Sequence, residues 1–234
     1  MHYVKIKDAL VEQIESGLLL PGKKLPPERK LAEAFDTTRV TLREALSILE
    51  AQGVIFREDR RGWFISPPRL KYDPAQPLPF NELALSQNRK PTVEVLSATT
   101  AMASKQATSS LKLAPFSDVH CLNRVRYLEQ RPIAYVTSYI KTDMFPELLS
   151  HDLSSSLTSI LRTNYATRYA NVQYRIVTTS LIGEVSQALR TTSGVPAILV
   201  ERVHRNAQGD LVDCHFEYWR HDAISIESMA QRNQ

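Results

Sequence analysis

Arg39, Thr41 and Arg43 crowd the opening turns of one amphipathic segment, with Arg29 a little upstream. Arginine can bridge both acceptors on a guanine edge, and threonine can hydrogen-bond a base edge or a phosphate. The start of a helix also favours phosphate. Arg57, Arg60 and Arg61 precede Gly62 in a second basic group. Glycine at a hairpin tip approaches a sugar-phosphate wall closely, and arginines suit a narrow minor groove. Arg124 and Arg126 form a third group; two residues apart, they share a face on a strand. Two guanidiniums on one face can clamp a phosphate, phosphonate or carboxylate through paired hydrogen bonds. Any one of these arginines alone is an ordinary solvated residue, and the grouping carries the chemistry.

Local chemistry predicts the elements that hold the first two groups. Pro26 and Pro27 suit a first helical turn, where a missing N–H costs little. Leu31, Ala34 and Phe35 then recur at helical spacing, and the helix stops near Asp36-Thr37. Thr38 is placed to cap the next helix. Val40, Leu42, Ala45, Leu46 and Leu49 form its apolar stripe, and Gln52-Gly53 ends it. Phe56 to Ile65 then reads as a small hairpin. Helix, tight turn, helix and hairpin is the order of a winged helix-turn-helix, which makes double-stranded DNA the expected partner. In it Arg39, Thr41 and Arg43 face the major groove and Arg29 a phosphate.

The chain has 234 residues and 43% hydrophobic content, enough for one small and one medium domain. Its net charge of +4 is divided evenly between residues 1–70 and 71–234. The basic character is therefore local, which excludes a bulk nucleic-acid coat. Cys121 and Cys214 sit in strand-like runs and read as buried free thiols in a reducing cytosol. No signal segment or membrane-length apolar run occurs, so the expectation is a soluble cytoplasmic protein. No CxxC, Walker-type loop or HExxH pattern is present, and no cofactor is expected.

Pro74, Pro77 and Pro79 mark residues 69–79 as an extended connector between a DNA-binding domain, 1–68, and a second domain, 80–234. The connector either transmits a geometric change or is a passive spacer. Beyond it, helices are predicted over Phe80–Leu85, with Asn81 a cap, Lys105–Leu113, Leu157–Tyr165 and Gly183–Thr191. Strands are predicted over Thr92–Ala98, His120–Glu129, Ile133–Lys141, Tyr169–Ser180, Ala197–Asn206 and Leu211–Trp219. Strand pairs on tight turns with helices between make an α+β antiparallel sheet. N–H groups at the Asn81 helix start could complete an anion site with Arg124 and Arg126. The alternative is one arginine paired with a surface acid and the other exposed. Asp213, His215, Glu217 and Trp219 share a face of the last long strand, where an acid could hold an amine. His120, His151, His204, His215 and His221 follow no ligand spacing, so no metal is expected.

Residues Tyr3 to Ile65 resemble the DNA-binding domain of the GntR family of bacterial transcription regulators. The matching pieces are Ile14-Glu15-Ser16-Gly17, Pro21-Gly22, Leu25-Pro26-Pro27-Glu28-Arg29, Leu31-Ala32, Thr38 to Leu46, Leu49-Glu50, Gly53 and Gly62. The resemblance implies a homodimer on a palindromic operator, with Arg29, Arg39, Arg43 and a Gly62 wing tip at the DNA. Asp36 stands where many members have glycine, and aspartate tolerates the left-handed conformation such a turn needs.

The remaining two-thirds resembles the UTRA effector domain of the HutC subfamily, a sheet related to the chorismate-lyase fold. Leu122 to Tyr127, Arg131-Pro132-Ile133-Ala134 with Tyr139, Gly194 to Val203, and Arg220 with Asp222 carry the match. It implies a small anionic effector and adds Tyr139 and Arg220 to Asn81, Arg124, Arg126 and Glu217 as effector residues. Val136 stands where many members have glutamate, and Glu217 where many have serine. Together these point to a small aminated anion. Cys214 to Asp222 also looks like regulators of 2-aminoethylphosphonate degradation. The expected function is a transcription regulator, a repressor by family precedent, and not an enzyme. A sugar phosphate or other carboxylate as effector, a ligand-independent DNA-binding protein, and a lyase-like enzyme are the rivals.

Overall fold

Ile6 and Leu10 of the first helix, α1 (His2–Glu15), pack on the apolar side of α3 (Arg39–Ala51), where Leu42, Ala45, Leu46 and Leu49 are all completely buried. Between them runs α2 (Glu28–Ala34), which buries Leu31 and Ala32. The expected Ala34 contact is not made, because Ala34 points to solvent and Ala32 takes its place. Val40 likewise leaves the predicted stripe. It is 78% exposed, on the α3 turn that also carries Arg39 and Thr41. Asp36 adopts φ 45°, the left-handed turn expected of it. The Thr38 hydroxyl accepts the Thr41 N–H at 3.2 Å and caps α3. Thr38→Ala is expected to lower stability by about 1 kcal/mol, read as a shift of the denaturant midpoint at constant slope.

The wing is β1 (Ile55–Glu58) paired antiparallel with β2 (Gly62–Ile65). Gly62 is not its tip. It opens β2 opposite Glu58 with φ 97°, a value at which a side chain would be strained. Arg60 occupies the tip with φ 58°.

The structure is a computed structural model that describes residues 2–229. They divide into two compact units that are not sequential segments. The first joins the chain up to Lys71 with Leu181–Pro196 and Arg220–Ser225. The second comprises Tyr72–Ser180, Ala197–Trp219 and the described residues from Ile226. A ribbon of β3 (Leu70–Tyr72) and, much later, the last strand Ile224–Ile226 carries the chain from one unit to the other. The connector expected over 69–79 is therefore partly a paired strand.

The second unit is built on α4 (Phe80–Ser86), β4 (Pro91–Met102), α5 (Lys105–Leu111), β5 (Asp118–Leu128), β6 (Arg131–Lys141), α6 (Leu157–Tyr165) and β7 (Tyr169–Ser180). After α7 (Gly183–Ala188) of the first unit come β8 (Pro196–Asn206), β9 (Leu211–Arg220) and β10, the Ile224–Ile226 strand. The six-stranded sheet has the order β4-β5-β6-β9-β8-β7, with β4, β5, β6 and β9 successively antiparallel. The β5–β6 hairpin turns on Glu129 and Gln130, both at positive φ, so Arg131 and Pro132 lie in β6 rather than in the turn. One core packs α6 with Leu122, Ile140, Phe145 and Val212; another packs α5 with Val119, Leu199, Cys214 and Phe216. Cys214 is buried and Cys121 half-buried, and both are free thiols. No helix among the described residues is long and apolar enough to cross a membrane.

Candidate functional site

The first unit presents its cations on α2, on the start of α3 and on the wing. Arg39 is exposed at the first turn of α3, and Arg29 pairs with Glu33 at 3.1 Å on the surface of α2. Arg43 donates through Nε to Glu28 Oε2 at 2.8 Å, with 67% of its side chain exposed. The other Glu28 oxygen accepts the Trp63 indole N–H at 3.1 Å. Burial opposes the charge of Glu28, but these two hydrogen bonds and the charges of Arg43 and Arg57 hold its carboxyl below the usual range. On the wing, Arg60 is almost fully exposed, and Arg61 pairs with the buried Glu58 while lying over Phe64. The Asp59 N–H donates to Arg190 O at 3.1 Å. The predicted cations thus lie on the elements expected for them.

The same unit accounts for Arg220. Its guanidinium lies 5.1 Å from the Phe56 ring centre, pairs with Asp222 at 3.2 Å and donates to Leu189 O at 3.0 Å. It therefore does not share a site with Arg124. His221 contacts the carbonyls of Glu50 at 2.8 Å and Pro196 at 2.9 Å.

In the second unit, a cavity of about 500 Å³ opens beside α4, the start of α6, β5 and β8. Arg124, Arg126, Arg202, His204 and His215 line it, with Asn81, Ser154–Thr158, Arg162 and Arg168. Adjacent β5 positions of one parity bring Arg124 and Arg126 to the same wall, as the spacing predicted. Arg124 is 6% exposed and donates to the carbonyls of Leu153 and Ser155 at 3.3 Å; its Nε has no partner, nor has Nε of Arg202. Burial and the neighbouring Arg126 charge lower the Arg124 guanidinium to about 9. The Asn81 carbonyl oxygen is also buried without a partner. Asn81 is not the cap. Pro79 holds that place with no side-chain bond, and Asn81 lies inside the first turn of α4. Ser156 caps α6, whose first N–H groups have no helical partners.

Glu217 sits behind this wall. It pairs with Arg126 at 3.1 Å and with Arg202, and accepts the Trp219 indole N–H at 2.9 Å. Burial opposes its charge, but Arg126 and Arg202 outweigh burial and keep its carboxyl well below the usual range. Arg126 is further held between Phe80, at 5.2 Å, and Trp219, at 5.5 Å. Glu217 is spent on these donors and does not line the cavity, so the expected carboxylate for an amine is not offered there. Tyr139 packs against Phe216 at 6.0 Å, in the α5-side core, and does not line the cavity.

Sequence reasoning missed Arg202 and Tyr169 and set His204 aside on its spacing. Asp213 Oδ1 accepts from His204 Nδ1 at 2.6 Å and His215 Nε2 at 3.0 Å, while its Oδ2 accepts from Tyr169, whose ring stacks on His204 at 4.0 Å. Ser138 Oγ lies 2.7 Å from His215 Nδ1. Burial raises Asp213, but the two imidazoles more than reverse this. Burial outweighs Asp213 at His215 and lowers it to about 4. His204, Asp213 and His215 could hold a metal ion. Their ligand atoms already satisfy one another, and the Arg202 charge beside them opposes another cation. The β8–β9 hairpin closes at Asn206 and Asp210, which sets residue 204 across from 212 rather than 213, so the turn gives no signal for this cluster.

Residues 2–65 match the family described as bacterial regulatory proteins, gntR family, and residues 86–225 match the UTRA domain. The chain is 29% identical to the HTH-type transcriptional regulator YihL of Escherichia coli over 94% of both chains. It is 29% identical to the mannosyl-D-glycerate transport/metabolism system repressor MngR of E. coli, covering 98% of this chain and 96% of that one. Against the HTH-type transcriptional repressor NagR of Bacillus subtilis the identity is 26%, over 86% of this chain and 82% of that one. Among solved structures, PhnF from Mycobacterium smegmatis superposes with a TM-score of 0.68 at 19% identity, covering 97% of this chain and all of that one.

Proposed function

The chain belongs to the UTRA-domain transcription regulators of the gntR family, and from that premise we propose a homodimeric repressor released from a palindromic operator by a small anionic effector. Arg39, Thr41 and Arg43 read the major groove, Thr38 holds their helix start in place, Arg29 contacts a phosphate, and Arg60 and Arg61 on the wing lie in the minor groove with Gly62 behind them. The effector occupies the cavity of the second unit.

The observation that carries the effector reading is the charge of that cavity. Arg124, Arg126 and Arg202 face two carboxylates, Glu217 and Asp213, that are fully engaged, while Arg162 and Arg168 stand at the wall. No described residue lining the cavity is acidic. Such a site suits a phosphate or phosphonate group. It offers an ammonium group no carboxylate. His204 Nε2, Asn81 and the serines before α6 instead suit neutral hydroxyls. A hydroxylated phosphate or carboxylate therefore fits better than 2-aminoethylphosphonate, and the mannosyl-D-glycerate of the MngR name is of that kind.

Thermal melts of the full chain with glucose 6-phosphate, ribose 5-phosphate, 2-aminoethylphosphonate and inorganic phosphate test this, since a ligand of the native state raises Tm by mass action. A larger rise with a sugar phosphate than with the aminophosphonate is expected. The reverse order would restore the aminated ligand, and no rise with any anion would leave a ligand-independent DNA-binding protein. Release from a selected operator by the same compound checks the regulatory step.

A further inference from the structure

We propose that Glu28 is a positioning residue for base reading, which aims the guanidinium of Arg43 and ties it to the wing. This rests on the reading of Arg43 as a base contact. A guanidinium has two hydrogen-bonding edges, one containing Nε and one formed by the two terminal nitrogens. Glu28 takes Arg43 through Nε, at 2.8 Å. The terminal pair stays free, and it is this pair that can bridge the O6 and N7 atoms of a guanine. An unrestrained arginine of this exposure samples many rotamers and loses that freedom when it binds. Held by Glu28, it has given up part of the freedom before DNA arrives.

The second carboxylate oxygen of Glu28 accepts from Trp63 Nε1, which lies on β2 of the wing. Arg57, on β1, lies 5.7 Å from the Trp63 ring centre. One carboxylate at the first position of α2 thus joins the reading side chain of α3 to the strand pair that carries the wing cations. The negative charge is maintained at neutral pH, since Arg43 and Trp63 outweigh the effect of burial. The two-armed arrangement needs a carboxylate. Glutamine keeps one accepting oxygen but turns an N–H₂ toward either Arg43 or Trp63.

The test is a selection from randomised double-stranded DNA with the full-length wild type, E28A, E28Q and R43A in parallel. Each protein is also measured against non-specific DNA. The wild type should select a palindrome, and R43A should lose preference at one guanine of each half-site. E28A should lose preference at that same position, from on the order of tenfold to near parity, while other positions and non-specific affinity hold. E28Q should show a partial loss there. Full retention of the guanine by both Glu28 variants would overturn the proposal. So would an even loss at all positions, which marks a purely structural role, or tighter binding to all DNA, which marks sequestration of Arg43. If the wild type selects no sequence, the DNA-reading assignment itself falls. If it selects one and only the Glu28 result fails, that assignment stands without this refinement.

Discussion

Replacing Glu217 with alanine is expected to cost the folded protein about 3–5 kcal/mol, because it strands the buried Arg126 guanidinium and the half-buried one of Arg202. Glu217 is 1% exposed, and Arg126 and Arg202 both depend on it. Arg126 cannot swing to water without leaving the Phe80 and Trp219 rings between which it is held. Glu217→Gln keeps the shape and loses the charge, and should fall between alanine and the wild type. Denaturant unfolding at pH 7 measures both.

The same residue fixes the direction of the pH dependence. Glu217 and Asp213 hold protons less tightly folded than unfolded, so unfolding in acid takes up protons. Their stabilisation is complete above about pH 5 and declines as pH falls further. His215 acts in the same direction from a higher pH. It falls from an ordinary 6.5 to about 4 in the fold, so protonation of the unfolded chain favours unfolding once pH drops below 6.5. Stability should therefore begin to fall near pH 6.5 and fall faster below about pH 5. In Glu217→Gln the second limb should be shallower. A stability that rises on acidification would contradict these assignments.

Arg124→Ala is expected to have the opposite profile: a large loss of effector affinity with little loss of stability. Truncating one member of a buried charged hydrogen-bonded pair costs about 2–5 kcal/mol of binding, roughly 30-fold to several thousandfold. The substitution also removes a buried cation that burial and the Arg126 charge already disfavour. The Leu153 and Ser155 carbonyls it leaves lie beside the cavity, where water can reach them. Stability should hold within about 1 kcal/mol. Arg124→Lys should keep the charge, lose the fork and recover only part of the affinity. Calorimetric titration with the sugar phosphate identified by thermal melts, beside denaturant unfolding, separates the two effects. A collapse of stability in Arg124→Ala would recast the residue as structural.

Much of the architecture was legible because it rests on local rules. The Thr38 cap, the Gly53 helix end, the left-handed Asp36 and the shared face of Arg124 and Arg126 each follow from a few neighbouring residues. What was lost depended on parity and on distant partners. In β9, residues 213, 215, 217 and 219 share one face, so Arg220 must lie on the other; sequence parity already separated it from Glu217. In β6, Ser138 pairs with His215 and Tyr139 with Cys214, which puts Tyr139 on the opposite side. Glu217 was read as free for a ligand because nothing in the sequence announces that Arg126, Arg202 and Trp219 converge on it. Val40 was assigned to the core on polarity alone, although the start of a recognition helix is where an apolar side chain meets a thymine methyl group rather than protein.

Arg220 lying on Phe56, and Arg190 accepting from Asp59 at the wing, bear on how this regulator could be rebuilt. The transplantable module that reads DNA is larger than the segment that matches the gntR family. A hybrid joined at residue 68 would keep the wing arginines but lose the Arg220 guanidinium over Phe56 and the Arg190 carbonyl that accepts from Asp59. Sensors assembled by exchanging halves between relatives would need to carry Leu181–Pro196 and Arg220–Ser225 along with the N-terminal residues. Natural recombination at the connector faces the same restriction, so these two late segments are expected to share their ancestry with the wing.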